Sequence, residues 1–174
     1  MCRVFGCTSC GKKPHYCRVC KNMDVTHFSV NCPTITSAAI LLLSGKDEKI
    51  LLVRNSSSHS WMMPGGLVDR GETPKQAAYR EFQEETNFTL DESKVQSSTL
   101  FYRHHRDGSV TQIHILTIKR SLDISKFRKT NETDSIMHIS LGKLKHIIYG
   151  GTREITLRRD NYNTLKDIFD NGIL

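Results

Sequence analysis

Residues 65–88 read GGLVDRGETPKQAAYREFQEETNF, and the reading of this stretch decides the fold. Its first half, rich in Gly and Pro, cannot be regular helix. Thr73 is a good N-cap and Pro74 suits a first turn, so a helix is expected to start there. It runs to about Thr86, and Asn87 is a permissible stop. At about 100° per residue, Glu81, Glu84 and Glu85 (i, i+3, i+4) share one face. Ala78 and Phe82 lie on the adjoining face and can pack on a sheet. Arg80 precedes Glu84 by four positions and can support it from the flank. A solvated acidic face is the common reading of three such carboxylates. The loop before them argues for another. Gly65, Gly66 and Gly71 let backbone approach closely, and Glu72 sits just before the helix. A carboxylate cluster beside such a loop is what hard cations such as Mg²⁺ need. The cation would relieve the repulsion and bridge phosphate oxygens of a substrate.

Upstream, residues 38–43 (AAILLL) and 49–53 (KILLV) flank the turn-like SGKDE, which reads as a hairpin or two neighbouring buried strands. Residues 55–60 (NSSSHS) form a polar loop. Downstream, residues 98–105 and 109–120 read as two strands around a turn at Asp107-Gly108. Residues 121–135 look like a polar, charged connection. Residues 139–151 suggest a short helix ended by Gly150 and Gly151, and Tyr162, Leu165, Ile168 and Phe169 mark an amphipathic C-terminal helix. The expected class is mixed α/β.

The box-like spacing carries a resemblance. From Gly66 there are five residues to Glu72, then seven to Arg80-Glu81, followed by Phe82, Gln83, Glu84-Glu85, Thr86, Asn87 and Phe88. This resembles the Nudix box, G-x5-E-x7-R-E-U-x-E-E-x-G-U with U apolar, at every defined position but one: Asn87 stands where the family has Gly. Asn is the next most tolerant residue of left-handed backbone, so the turn should survive. The resemblance implies an α/β/α sandwich that cleaves a phosphoanhydride in a nucleoside diphosphate linked to another group. By that likeness Glu81, Glu84 and Glu85 would bind Mg²⁺ or Mn²⁺, with the Gly66 carbonyl as a further ligand. Arg80 and Glu72 would orient the carboxylates. The general base would be a box glutamate, Glu85 or Glu81, or a later-loop carboxylate, Glu132 or Asp134. Trp61 is expected to pack under the loop. Arg54, and Arg103 and Arg106 in the basic hairpin FYRHHRDG with His104 and His105, are candidate contacts to substrate phosphates.

All six cysteines lie in residues 2–32, and none follows. That division suggests a small zinc-binding module at residues 1–33 and a catalytic domain at 34–174, since tetrahedral zinc takes four Cys or His ligands. Cys7, Cys10, His15 and Cys20 resemble a zinc knuckle of retroviral nucleocapsid type. Cys17, Cys20, His27 and Cys32 form a second, overlapping register. Because both use Cys20, the division that satisfies all eight ligands is Cys2, Cys7, Cys10 and His15 for one zinc, and Cys17, Cys20, His27 and Cys32 for another. A single zinc in either register is the alternative. So few large apolar residues would not fold without metal. The module either caps the fold or a dimer contact, or presents Phe5, Tyr16, Phe28, Lys12, Lys13, Arg18 and Lys21 to single-stranded RNA.

The net charge of +7 favours anionic partners such as nucleic acid, nucleotides or polyphosphates. No apolar run approaches the roughly 20 residues that span a bilayer, and the N-terminus lacks an apolar signal core. The expected location is therefore intracellular, cytoplasmic or nuclear. Charge and knuckle together favour capped RNA as substrate, in a decapping type of reaction. The alternatives are a small substrate (a nucleoside triphosphate, ADP-ribose, a dinucleoside polyphosphate or a diphosphoinositol polyphosphate) and a non-catalytic RNA-binding module.

Overall fold

The computed structural model describes residues 34–152 and 154–174. The eight predicted zinc ligands, Cys2 to Cys32, lie outside the described residues. So do the basic and aromatic residues expected to meet RNA.

The described chain runs β1 (Ile35–Ser44), β2 (Lys49–Asn55), β3 (Trp61–Met62), β4 (Gly65–Leu67), α1 (Pro74–Thr86), β5 (Val95–His104), β6 (Val110–Ile118), β7 (Thr133–Ser140), α2 (Leu141–Gly150) and α3 (Arg159–Asp170). One mixed sheet has the order β3-β2-β1-β6-β5, with β4 added to β1 and β7 to β2. Only β1 and β6 are parallel; the other pairs are antiparallel.

The continuous apolar runs of β1 and β2 are explained by burial on both faces. Ala38, Ile40, Leu42, Leu51 and Val53 point to α1, where they meet Ala77, Ala78 and Phe82. Ala39, Leu41, Ile50 and Leu52 point the other way, to Leu144, Ile147 and Ile148 of α2 and Leu165, Ile168 and Phe169 of α3. The result is the expected α/β/α sandwich, held by two cores that share one sheet.

What creates a site is where β1 and β2 part. They pair directly only beside their turn, at Leu43↔Ile50 and Ser44↔Lys49. Further along, β1 pairs instead with β4 and β2 with β3, while β7 pairs with β2 throughout. The sheet therefore opens between Ala38-Ala39 and Asn55, and these residues line the cleft described below.

Helix α1 starts as its sequence demands. Thr73 accepts the Gln76 N–H, the Gln76 side chain returns a bond to the Thr73 N–H, and Pro74 occupies the first turn. It ends at Asn87 in the left-handed region, φ 61° and ψ 15°. Two expectations fail. Residues 121–135 are not connection throughout: β7 begins at Thr133 and pairs with β2 along its whole length. Helix α2 accordingly starts at Leu141, capped by Ser140, rather than at Ile139. The polar start of β7 hides the strand, because sheet pairing and not apolar alternation places it.

Candidate active site

Gly65 and Gly66 set the close approach of β4 to its neighbours. A Cβ at Gly65 would sit 2.5 Å from the Ala38 carbonyl oxygen, and one at Gly66 would sit 2.5 Å from the Glu81 carboxyl. At Gly65 a side chain would strike the β1 backbone, and at Gly66 it would displace the Glu81 carboxylate, which rests against the Gly66 backbone.

Arg80 ties the loop to the helix. Its guanidinium donates to both Glu72 oxygens (Nε 3.2 Å, Nη2 2.7 Å), to Glu81 (2.8 Å), to Glu84 (3.1 Å) and to the Leu67 carbonyl (3.0 Å). A planar guanidinium suits such a forked array, whereas a lysine could not reach so many acceptors at once. The Arg80 partnership holds the Glu72 carboxyl below its ordinary range. Burial pushes Glu81 upward despite Arg80.

Glu85 is different in kind. It is only 2% exposed, and among the described residues its carboxylate accepts from the Gly65 N–H (2.9 Å). Burial is the main force driving its carboxyl up to about 8; the Gly65 N–H opposes this, the charges of Glu81 and Glu132 add to it, and Arg158 pulls the other way. Glu84, by contrast, has its side chain 59% exposed.

These groups line a single cleft of about 900 Å³ that holds Gly66, Arg80, Glu81, Glu84, Glu85 and Glu132. A shallower extension runs past Asn87 to Lys129 and Asn131. The carboxylates offer the hard oxygens a divalent cation requires. Among the described residues, no three His, Cys, Asp or Glu side chains are drawn together into a finished metal cage. Arg80 holds Glu81 and Glu84, and the Gly65 N–H holds Glu85. The donor set, the buried Glu85 and the surplus negative charge fit such a cation.

Other expectations are redistributed. Glu132 lies in the cleft, but Asp134 does not line it. Asp134 is bound by Arg54 (2.7 Å) and His59 (3.2 Å). Arg54 is thus occupied by Asp134 and stacked over Trp61, and it is absent from the cleft lining. Arg103 pairs with Asp167 of α3 and serves that packing. Arg106 is exposed at the β5–β6 turn and does not line the cleft either. The turn reaches the cleft through His105, Asp107 and Ser109 instead. Trp61 is half-buried against the α2/α3 core, as expected.

The far wall was not anticipated at all. Arg158, Asp160, Asn161 and Thr164, at and just before the start of α3, line the cleft. Asn161 accepts the Met63 N–H (2.8 Å), which fastens α3 to the segment between β3 and β4. No spacing in the sequence links these residues to the glutamates; only the fold does.

The NUDIX domain family matches residues 33–156, which covers most of the chain and includes β1 through α2. The chain belongs to the Nudix hydrolase family. Among relatives, the RNA pyrophosphohydrolase of Photobacterium profundum is 30% identical over 66 residues, which is 38% of this chain and 38% of that protein. The chain thus matches well under half the length of that relative. Two solved structures share the fold. One is a bifunctional NMN adenylyltransferase/ADP ribose pyrophosphatase from Francisella tularensis complexed with AMP and a Mn ion (21% identity, TM-score 0.59, covering 80% of this chain and 42% of that one). The other is a C. elegans Ap4A hydrolase (20% identity, TM-score 0.52, covering 78% and 98%). In this Nudix domain the box Gly is replaced by Asn87, whose side chain accepts the Arg128 N–H (3.1 Å) and so binds the end of α1 to the β6–β7 connection.

Proposed function

We propose that this Nudix domain is a divalent-cation-dependent pyrophosphohydrolase acting at the 5′ end of RNA, with capped RNA as the preferred form. The observation that carries the hydrolytic reading is the convergence of Glu81, Glu84, Glu85, Glu132 and the Gly66 backbone on one cleft. The RNA reading is supported by the basic net charge and by the likeness to a bacterial RNA pyrophosphohydrolase.

In this reading Glu81, Glu84 and Glu85, with the Gly66 carbonyl, hold Mg²⁺ or Mn²⁺; a Mn ion is present in the Francisella complex. When bound, the cation supplies Lewis acidity at phosphorus and offsets charge on the phosphate oxygens. Arg80 keeps Glu72, Glu81 and Glu84 in register. Glu85, Glu81 or Glu132 takes the proton as water attacks phosphorus and the P–O–P bridge breaks. Glu132 is the late-loop carboxylate left for this role, because Asp134 is bound by Arg54 and His59. The segment 1–33 is proposed to bind zinc through Cys2, Cys7, Cys10, His15, Cys17, Cys20, His27 and Cys32, as two ions, and to guide the RNA strand.

The test is a substrate panel with Mg²⁺ and with Mn²⁺: capped RNA, 5′-triphosphate RNA, ADP-ribose, a dinucleoside polyphosphate, a diphosphoinositol polyphosphate and a nucleoside triphosphate. Preference for RNA by kcat/KM supports the proposal. Preference for a small nucleotide would reassign the substrate. Metal analysis of the full-length protein is expected to return two zincs per chain; one would rule out the two-site division.

A further inference from the structure

A diphosphate carries more negative charge than a single divalent cation neutralises, so its binding site needs protein cations as well. Among the described residues, four basic side chains line the cleft and its extension: Arg80, His105, Lys129 and Arg158. Arg80 is consumed by Glu72, Glu81 and Glu84. His105 is hydrogen-bonded to Thr111 (2.8 Å), which also bonds Ser37 (2.6 Å). Lys129 and Arg158 take no carboxylate partner among the described residues.

Arg158 is the better placed of the two. Its backbone is fixed from several sides. Its N–H donates to the Trp61 carbonyl (2.9 Å), Leu157 beside it bridges to Trp61, and its own carbonyl accepts the Tyr162 N–H (2.9 Å) to open α3. The side chain, by contrast, has only a weak contact from Nη1 to the Met62 sulfur (3.8 Å). A guanidinium on a rigid base, lining one cleft with Glu81, Glu84, Glu85 and Glu132, whose charge acts on Glu85 but which sits within ion-pair distance of no described carboxylate, is held for a ligand. Its planar fork matches two phosphate oxygens. Asp160, two residues along the chain, lines the same cleft without pairing to it.

We propose that Arg158 grips the diphosphate of the substrate from the α3 wall of the cleft, while α1 presents the carboxylates. This rests on the pyrophosphohydrolase reading above, and it adds a substrate-binding residue that lies outside the box.

The test uses the full chain and three variants: Arg158→Gln, Arg158→Lys and, as a neighbour that does not line the cleft, Arg159→Gln. Calorimetry measures binding of methylenediphosphonate, a non-hydrolysable diphosphate, with Mg²⁺ present. Steady-state kinetics on the best substrate of the panel give KM and kcat separately. Arg158→Gln is expected to weaken methylenediphosphonate at least tenfold and to raise KM more than it lowers kcat. Arg158→Lys should recover part of the loss, and Arg159→Gln should match wild type. Unchanged binding and KM in Arg158→Gln, or an equal loss in Arg159→Gln, overturns the proposal. The two readings fail separately. Wild-type turnover with binding indifferent to Arg158 removes the grip alone, whereas Arg158-dependent binding without any wild-type turnover removes the hydrolase reading and keeps the grip.

Discussion

Glu85 is a carboxyl in a place that disfavours its charge, and that conflict has two separable consequences. In protein stripped of divalent cations, a carboxyl whose folded pKa is raised to about 8 keeps its proton at neutral pH. The stability it contributes is present below its ordinary range and is lost as pH rises through about 8. Glu85→Gln should therefore melt at or above the wild-type temperature in EDTA at pH 8, while hydrolysis falls at least a hundredfold; calorimetry and turnover on one preparation check both. At Arg80 the fork matters more than the charge. Arg80→Lys keeps one positive charge but cannot span Glu72, Glu81, Glu84 and Leu67. It is expected to cut kcat/KM about tenfold or more while a simple surface lysine exchange would cut nothing. Asn87 answers the one departure from the family spacing. It holds φ 61° and adds a bond to Arg128. Asn87→Gly should leave urea stability within about 0.5 kcal/mol of wild type, whereas Asn87→Ala should lose about 1–2 kcal/mol, because alanine lacks the short polar side chain that eases left-handed backbone and the bond to Arg128.

At the scale of elements, the sheet's division is what makes a cleft. β1 and β2 are paired at one end and parted at the other, and β4 lies against β1 where Gly65 leaves no side chain to strike the β1 backbone. Beneath it, His114 of β6 is buried and bonded to Gln112 (2.8 Å). Burial, aided by the charge of Lys75, holds its imidazole down at about 4. Here the folded pKa lies below the unfolded one. The stability is complete above about 6.5 and is lost as pH falls towards 4, at up to about 1.4 kcal/mol per pH unit. A His114→Gln variant should show a flatter fall in urea midpoint between pH 6.5 and 4.5 than wild type; an equal slope would contradict this. How much of these elements was legible follows from what fixes them. Helix α1 and the faces of β1 and β2 could be read because caps and periodicity are local. β7 could not, because its first residues are polar and its place is set by pairing with β2. Arg158 and Asn161 could not, because their part in the cleft depends on α3 folding back beside β3.

Across the described residues, a sheet carries two main cores, one against α1 and one against α2 and α3, and a cleft at its parted end shared by α1 and the start of α3. No helix among the described residues is long and apolar enough to cross a membrane. The shared face of the glutamates was legible because their spacing is a local helical property, while the pairing of Arg54 with Asp134 and of Arg103 with Asp167 was not, because the fold alone brings those residues together. The most direct measurement follows product release from 5′-capped and 5′-triphosphate RNA, with and without Mg²⁺, by wild type and by a Glu84→Gln, Glu85→Gln double variant. Cleavage at the phosphoanhydride by wild type only when Mg²⁺ is present, and its loss in the variant, is the expected result. Equal cleavage by both proteins, or cleavage that persists in EDTA, would contradict it.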